Sequence, residues 1–186
     1  ENVTDEVIVR ELVSQHHEGA DLDAAVAEFP RDFVAQLRRE LEVDGLEQVV
    51  GSEHILAHVT ASTEHVCAIA TGSWRPSAEL KLRSAGLDAT PLATSDDSPS
   101  RLRILELTRS RAGADAGCAF ARVTYVGDGA WDVRAAAAAG IDFVGVADRE
   151  RHAALRKAGA RAITHDFRDV RAFLDLVEQS RSPRQS

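Results

Sequence analysis

The sequence predicts an α/β protein in which helices flank a parallel β-sheet and a small all-helical segment comes first. From residue 66 onward, short apolar runs alternate with amphipathic stretches, which is the pattern of strand-helix units in a parallel sheet. Residues 5–45 instead carry apolar side chains at helical spacing and contain no strand-like run. With 186 residues, 44% of them hydrophobic, the chain can form one sizeable core and a small appended domain.

The amino-terminal part is predicted to be helical throughout. Thr4 is a candidate N-cap, because a threonine hydroxyl can accept a hydrogen bond from the unpaired amides of a first helical turn. Pro30 predicts a break between two helices, since proline lacks the backbone donor, and Gly51 indicates a second interruption. The helices predicted here cover residues 5–16, 21–29, 32–41 and 46–60.

The rest of the chain is predicted to alternate between strands and helices. Its apolar runs are short and rich in β-branched residues, which favours strands, and Cys67 falls inside the first of them, where we expect it to be buried. The predicted strands cover residues 66–70, 91–93, 122–126, 142–146 and 161–164; the predicted helices cover residues 76–85, 100–111, 131–139, 149–158 and 167–178; the polar tail 179–186 is predicted to be flexible.

The composition argues against several classes of partner. A net charge of −8 without a basic cluster disfavours nucleic acid, because a phosphate backbone requires a basic protein face. No apolar run approaches the roughly 20 residues that span a bilayer, and the chain opens without a signal-peptide pattern, so we expect no membrane partner. Two cysteines are too few for a disulfide framework, and a reducing cytoplasm is the expected location.

Two carboxylates flank the turn between a predicted strand and a predicted helix. The β-branched run 123–126 ends on a glycine, and Asp128 and Asp132 stand at the start of an alanine-rich helix. Open α/β folds bind their ligands at the carboxyl edge of the sheet, and an acidic residue in a first helical turn suits the helix dipole. The turn therefore predicts a metal and phosphate site. The alternative is that Asp128 only caps the helix.

A candidate anion site follows the first predicted strand. Thr71, Gly72 and Ser73 would present hydroxyl groups and backbone amides where a helix begins, which suits phosphate; the alternative for Ser73 is a capping role. Arg101 stands at the start of a later helix, after a polar loop, and would bring a cation to the same sheet edge. The alternative for Arg101 is a solvated surface position.

Taken together, these motifs resemble the haloacid dehalogenase superfamily over residues 46–178, and the carboxyl-terminal half resembles small phosphatases of the phosphoglycolate phosphatase type. The resemblance implies a Rossmann-like core over residues 46–178 and a helical cap over residues 5–45. It also implies that Thr71 and the amide of Gly72 or Ser73 bind the phosphoryl group. Arg101 would balance its charge, although Lys81 is another cation nearby in sequence.

The resemblance further implies that Asp128 helps to bind Mg²⁺ and that Asp132 orients Arg101 or a metal-bound water. Thr71, Arg101 and Asp132 are thus the expected catalytic residues. The family's first motif, an Asp-x-Asp that follows an opening strand, has no match in the chain, since Asp21 and Asp23 have the spacing but a helical context. Loss of a central strand would leave its neighbours with unpaired backbone groups, so the opening strand is expected upstream of residue 1.

The implied function is a Mg²⁺-dependent phosphatase that acts on a small phosphorylated metabolite through an aspartyl-phosphate intermediate. Two alternatives remain. One is a phosphomutase of the same fold, which uses the same phosphorylated aspartate. The other is a non-catalytic module that binds phosphate and metal without a nucleophile.

Overall fold

The computed structural model describes residues 3–16, 18–87 and 90–184. These residues form eight helices and five strands, and the chain divides into two compact units. Unit 1 contains Glu1–Glu47 and Ala68–Thr108, and unit 2 contains Gln48–Cys67 and Arg109–Ser186. In chain order the elements are α1 (Asp5–Val13), α2 (Ala20–Val43), α3 (Ser52–Ala61), β1 (Ile69–Ala70), α4 (Arg75–Ser84), β2 (Leu92–Ala93), α5 (Arg101–Ala116), β3 (Thr124–Gly127), α6 (Ala130–Ala139), β4 (Asp142–Val146), α7 (Arg149–Lys157), β5 (Ala162–Thr164) and α8 (Val170–Gln179).

Unit 1 combines a short parallel strand pair, β1 and β2, with helices α1, α2 and α4. Its apolar cluster is built around Trp74, which is buried together with Val9 of α1 and Val26 of α2. The rings of Phe29 and Phe33 lie 5.9 and 6.1 Å from the Trp74 ring, centroid to centroid. Aromatic pairs at these centroid distances are stabilising. Trp74 therefore has the packing role that is most frequent for tryptophan.

Unit 2 contains a three-stranded parallel sheet in the order β3-β4-β5. Val144 of the central strand packs with Ile55 of α3 and Phe173 of α8 on one face of the sheet. On the other face, Gly145 lies so close to Leu155 of α7 that a Cβ there would be 2.8 Å from a leucine methyl group. Helices therefore cover both faces, as a parallel sheet requires. The predicted α/β class is confirmed, with the parallel pairing of a Rossmann-like fold.

Several local predictions are wrong. Pro30 does not end a helix, because α2 runs unbroken from Ala20 to Val43 with the proline inside it. An internal proline costs about 3 kcal/mol, and the contacts of Val26 and Phe33 with the Trp74 cluster, on either side of Pro30, offset that cost. Cys67 is half-buried but lies outside any strand, since β1 begins at Ile69.

The other predicted elements of residues 66–178 are present, with ends that differ by a few residues. The stretch 46–50 is not helical, and α3 begins directly after Gly51, whose φ of 83° is a left-handed conformation that suits glycine. None of the helices in the described part of the chain combines the length and apolar character needed to cross a membrane. The division into a helical cap (5–45), a core (46–178) and a flexible tail (179–186) stays a prediction.

Candidate functional site

The loop Thr71-Gly72-Ser73 in unit 1 leaves β1 with one backbone amide unengaged. The Thr71 N–H still pairs with the Ala93 carbonyl of β2, at 3.0 Å. The Ser73 N–H donates to Thr71 Oγ1 at 3.2 Å. The Gly72 N–H, by contrast, meets no acceptor among the residues that the structure describes. Together with the Thr71 hydroxyl, it offers two donors to an anion.

Arg101, the first residue of α5, lies directly against this loop. A Cβ placed on Gly72 would be 2.7 Å from the Arg101 Cζ, so the guanidinium occupies the space that any larger residue at position 72 would fill. The Arg101 Nε–H donates to the Val3 carbonyl at 2.7 Å. Arg101 is therefore half-buried and fixed beside the loop, and the structure brings Thr71, Gly72, Ser73 and Arg101 together in one unit.

The amino terminus of α4, directly after the loop, is capped by carboxylates from elsewhere in unit 1. The N-cap residue is Trp74, whose side chain makes no capping hydrogen bond. The Trp74 N–H donates to Asp5 Oδ2 at 3.1 Å, and the Arg75 N–H donates to Asp96 Oδ2 at 2.9 Å. These acceptors satisfy the first amides of the helix, so the alternative capping role for Ser73 is filled by other residues.

Two buried hydroxyl groups of unit 1 have no hydrogen-bond partner in the described structure, Thr4 Oγ1 and Ser95 Oγ. The Ser95 N–H donates to the Ser73 carbonyl at 3.1 Å, and Thr4 directly precedes Asp5. Buried polar groups normally find a partner. Ser95 contacts the loop and Thr4 precedes the capping residue Asp5. Their unpaired hydroxyls mark this part of unit 1 as a polar site rather than an ordinary core.

Asp128 in unit 2 projects from the turn after β3. Its side chain is 60% exposed and pairs with Arg151 at 3.2 Å. Arg151 also pairs with Asp148, the N-cap of α7, at 3.3 Å. The pKa of Asp148 is lowered, mainly because its carboxylate accepts a hydrogen bond from the Arg151 backbone N–H. The N-cap of α6 is Gly129, so Asp128 precedes the cap position and does not occupy it.

Asp132 is buried and holds the same turn together from inside. Its Oδ1 accepts from the Tyr125 hydroxyl at 2.8 Å, and its Oδ2 accepts from the Gly129 N–H at 3.1 Å. A Cβ on Gly127 would lie 2.8 Å from the Asp132 side chain, and one on Gly129 would lie 2.1 Å from the Trp131 ring. The two glycines are therefore required by close packing in the turn, and both Asp132 oxygens are engaged.

The donor set bears on which metal the turn can hold. Within residues 3–16, 18–87 and 90–184, no group of three or more histidine, cysteine, aspartate or glutamate side chains is placed to hold a metal ion. Mg²⁺ commonly takes one or two carboxylates and completes its shell with waters and phosphate oxygens. Asp128, exposed at the carboxyl end of a parallel strand, fits as one such ligand.

Sequence reasoning did not single out three residues that the structure places at these sites: Asp5, Tyr125 and Arg151. Asp5 resembles an ordinary first-turn acid of α1, and Tyr125 resembles a strand residue. Arg151 stands in a helix that is rich in arginine. The one signal available was the position of Asp5 directly after the candidate N-cap Thr4.

The profile of a family described as Haloacid dehalogenase-like hydrolase matches residues 1–146 of the 186. The matched stretch contains the loop 71–73, Arg101, Asp128 and Asp132. No curated protein sequence matches the chain at a significant level.

Proposed function

The chain belongs to the haloacid dehalogenase-like hydrolase family, and on that premise we propose that it is a Mg²⁺-dependent phosphatase for a small phosphorylated metabolite. The family supports hydrolase chemistry in general, and the phosphatase assignment is supported by the loop of unit 1. A net charge of −8 supports a small phosphorylated molecule rather than nucleic acid as the partner. The phosphoglycolate phosphatase-like subtype belongs to the same proposal.

The observation that carries the proposal is the Arg101 guanidinium held against Gly72, the residue that directly follows Thr71. A phosphoryl group presents several anionic oxygens, and a guanidinium with adjacent amide and hydroxyl donors is a matched receptor for it. In the proposed reaction the Gly72 amide and the Thr71 hydroxyl orient the phosphoryl group, and Arg101 balances the charge that shifts during transfer. Preorganised donors of this kind stabilise a transition state electrostatically.

Asp128 supports the metal part of the proposal, as an exposed carboxylate at the end of β3. A bound Mg²⁺ supplies charge neutralisation for a transferring phosphoryl group. Asp132 supports it indirectly, because its bonds to Tyr125 and Gly129 fix the turn from which Asp128 projects. The proposed transfer proceeds in two steps through an aspartyl-phosphate intermediate.

The proposal is tested by hydrolysis of p-nitrophenyl phosphate with and without Mg²⁺. We expect Arg101→Ala to lower kcat/KM by about 100-fold, because one preorganised group of a charged transition state is lost. Arg103→Ala is the matched control: Arg103 lies two residues further along α5, is exposed and pairs with Glu106 at 3.0 Å. Equal activity of the two variants would show that Arg101 does not act on the phosphoryl group.

A second candidate is a non-catalytic module that binds phosphate. It rests on the contacts of Arg101 with Gly72 and Val3, which would suit phosphate binding whether or not hydrolysis follows. Binding of inorganic phosphate without any hydrolysis of p-nitrophenyl phosphate, measured on the full-length protein, would support it. Hydrolysis that requires Mg²⁺ and Arg101 would exclude it.

A further inference from the structure

We propose that Asp5 is a positioning residue that fixes the conformation of the loop 71–74 and leaves the Gly72 amide as the donor that has no acceptor among the described residues. Asp5 contacts the loop twice. Its backbone N–H donates to the Gly72 carbonyl at 2.8 Å, and its carboxylate Oδ2 accepts from the Trp74 N–H at 3.1 Å. Both contacts join residues nearly seventy positions apart in sequence. The inference rests on the proposed role of the loop in binding a phosphoryl group.

The two contacts act on successive peptide units of the loop. In the unit between Gly72 and Ser73, the carbonyl accepts from Asp5 and the N–H donates to Thr71 Oγ1. In the unit between Ser73 and Trp74, the carbonyl accepts from the Ser95 N–H and the N–H donates to the Asp5 carboxylate. Each unit is thus held at both ends, and Asp5 supplies one end of each.

The two bonds of Asp5 determine which backbone amide of the loop remains available to a ligand. A peptide unit held at both ends cannot rotate to offer its N–H to a ligand, so the Ser73 and Trp74 amides are committed. The Gly72 N–H belongs to the preceding peptide unit and, in the described structure, has no acceptor. If Asp5 released its two bonds, the loop could turn the Ser73 and Trp74 amides outward, and the Gly72 amide would no longer be distinguished as the unpaired donor. Preorganisation of this kind lowers the cost of binding.

The same short segment also holds the cation of the site. The Val3 carbonyl, two residues before Asp5, accepts from the Arg101 Nε–H at 2.7 Å. Residues 3–5 therefore connect the loop and the guanidinium of unit 1, and the hydroxyl of the intervening Thr4 is buried without a partner. Because Asp5 is also the first residue of α1, its carboxylate position is set by a helix and not by a mobile side chain alone.

The test compares three substitutions of Asp5 in the full-length protein. Asp5→Ala removes the carboxylate acceptor. Asp5→Asn keeps an oxygen acceptor of the same reach without the charge. Asp5→Glu keeps the charge but moves the carboxylate by one methylene group. Glu6→Gln is the control, since Glu6 is adjacent, belongs to the same first turn of α1 and pairs only loosely with Arg10, at 3.9 Å.

Two measurements are made on each variant: amide hydrogen exchange of the segment 71–75, and calorimetric titration with inorganic phosphate. We expect Asp5→Ala to raise exchange of the segment and to weaken phosphate binding about tenfold, with Asp5→Asn close to the wild type and Glu6→Gln unchanged. Asp5→Glu should weaken phosphate binding several-fold despite its charge. This variant and Asp5→Asn decide the question even if Asp5→Ala fails to fold.

Each other outcome overturns the inference in a recognisable way. Unchanged exchange in Asp5→Ala would show that Asp5 does not fix the loop. Raised exchange with unchanged phosphate affinity would show a purely structural contact. If Asp5→Asn bound phosphate weakly while Asp5→Glu bound it as tightly as the wild type, charge and not position would be the cause. Failure of the wild-type protein to bind phosphate would instead refute the proposed function itself, and with it the role of Asp5.

Discussion

Substitution of Gly72 by alanine tests the anion site by steric means, without removing any of its polar groups. The added methyl carbon would lie 2.7 Å from Cζ and Nη2 of Arg101 and 2.8 Å from its Nε. Ordinary contacts between such atoms are about 3.5–4.0 Å, so the guanidinium must move by roughly 1 Å. That movement disturbs the 2.7 Å hydrogen bond from Nε to the Val3 carbonyl.

The cost can be bounded from this geometry. Overpacking by one methyl group typically costs about 1–3 kcal/mol, and the low end applies if the Arg101 side chain can swing aside. For a chain of this size each kcal/mol lowers Tm by about 2–4 °C, so Gly72→Ala should lower Tm by roughly 2–12 °C. Phosphate affinity should fall together with Tm, because the displaced guanidinium no longer lies against Gly72 of the loop.

The decisive assay is a double-mutant cycle followed by thermal and chemical unfolding. In an Arg101→Ala background the atoms that the Gly72→Ala methyl group meets are absent, so the substitution should cost less than about 0.5 kcal/mol, as for a surface position. The coupling between the two sites should therefore be about 0.5–3 kcal/mol. An equal cost of Gly72→Ala in both backgrounds would refute the contact between Gly72 and Arg101, and with it the geometry of the proposed site.

Three further predictions concern residues of unit 2. Asp132→Ala should lower the free energy of unfolding by about 3 kcal/mol, because two hydrogen bonds to a buried carboxylate are lost. In a double-mutant cycle with Tyr125→Phe, measured by chemical denaturation, strictly additive effects would contradict the hydrogen bond between Tyr125 and Asp132. Asp128→Asn should abolish Mg²⁺-dependent turnover while changing stability by less than about 0.5 kcal/mol, since the side chain is exposed; unchanged turnover would rule out its role as a metal ligand. Burial raises the pKa of the Cys67 thiol, whereas Cys118 is exposed, so iodoacetamide at about pH 8 should alkylate Cys118 first; equal rates by mass spectrometry would contradict this burial.

Local periodicity was enough to predict most of the secondary structure. The strand β4 was predicted from an apolar run and forms the buried centre of the unit 2 sheet. Gly140 ends α6 in a left-handed conformation with φ of 65°, which is the usual role of a glycine after an alanine-rich helix. Pro30 was misjudged because the rule for proline is local, whereas the packing of α2 against Trp74 that overrides it is tertiary.

The site was predictable in its residue types and not in its contacts. Thr71, Gly72 and Arg101 could be selected because a strand end, a glycine and a cation at a helix start are visible in sequence. The bond from Arg101 to Val3 joins residues 98 positions apart, and no periodic pattern encodes a pairing of that kind. The two bonds of Asp5 are hidden for the same reason.

Asp128 and Asp132 show how one motif can combine two different physical roles. They are four residues apart, yet Asp128 is exposed and pairs with Arg151 of α7, whereas both oxygens of Asp132 are committed inside the turn. A carboxylate that accepts from the Gly129 amide and the Tyr125 hydroxyl stiffens the turn, and a stiff turn fixes where Asp128 projects. Loss of Asp128 should therefore affect metal-dependent chemistry alone, whereas loss of Asp132 should affect stability first and chemistry through the position of Asp128. A variant of Asp132 that lost activity at full stability would show that its carboxylate also acts directly on the reacting groups.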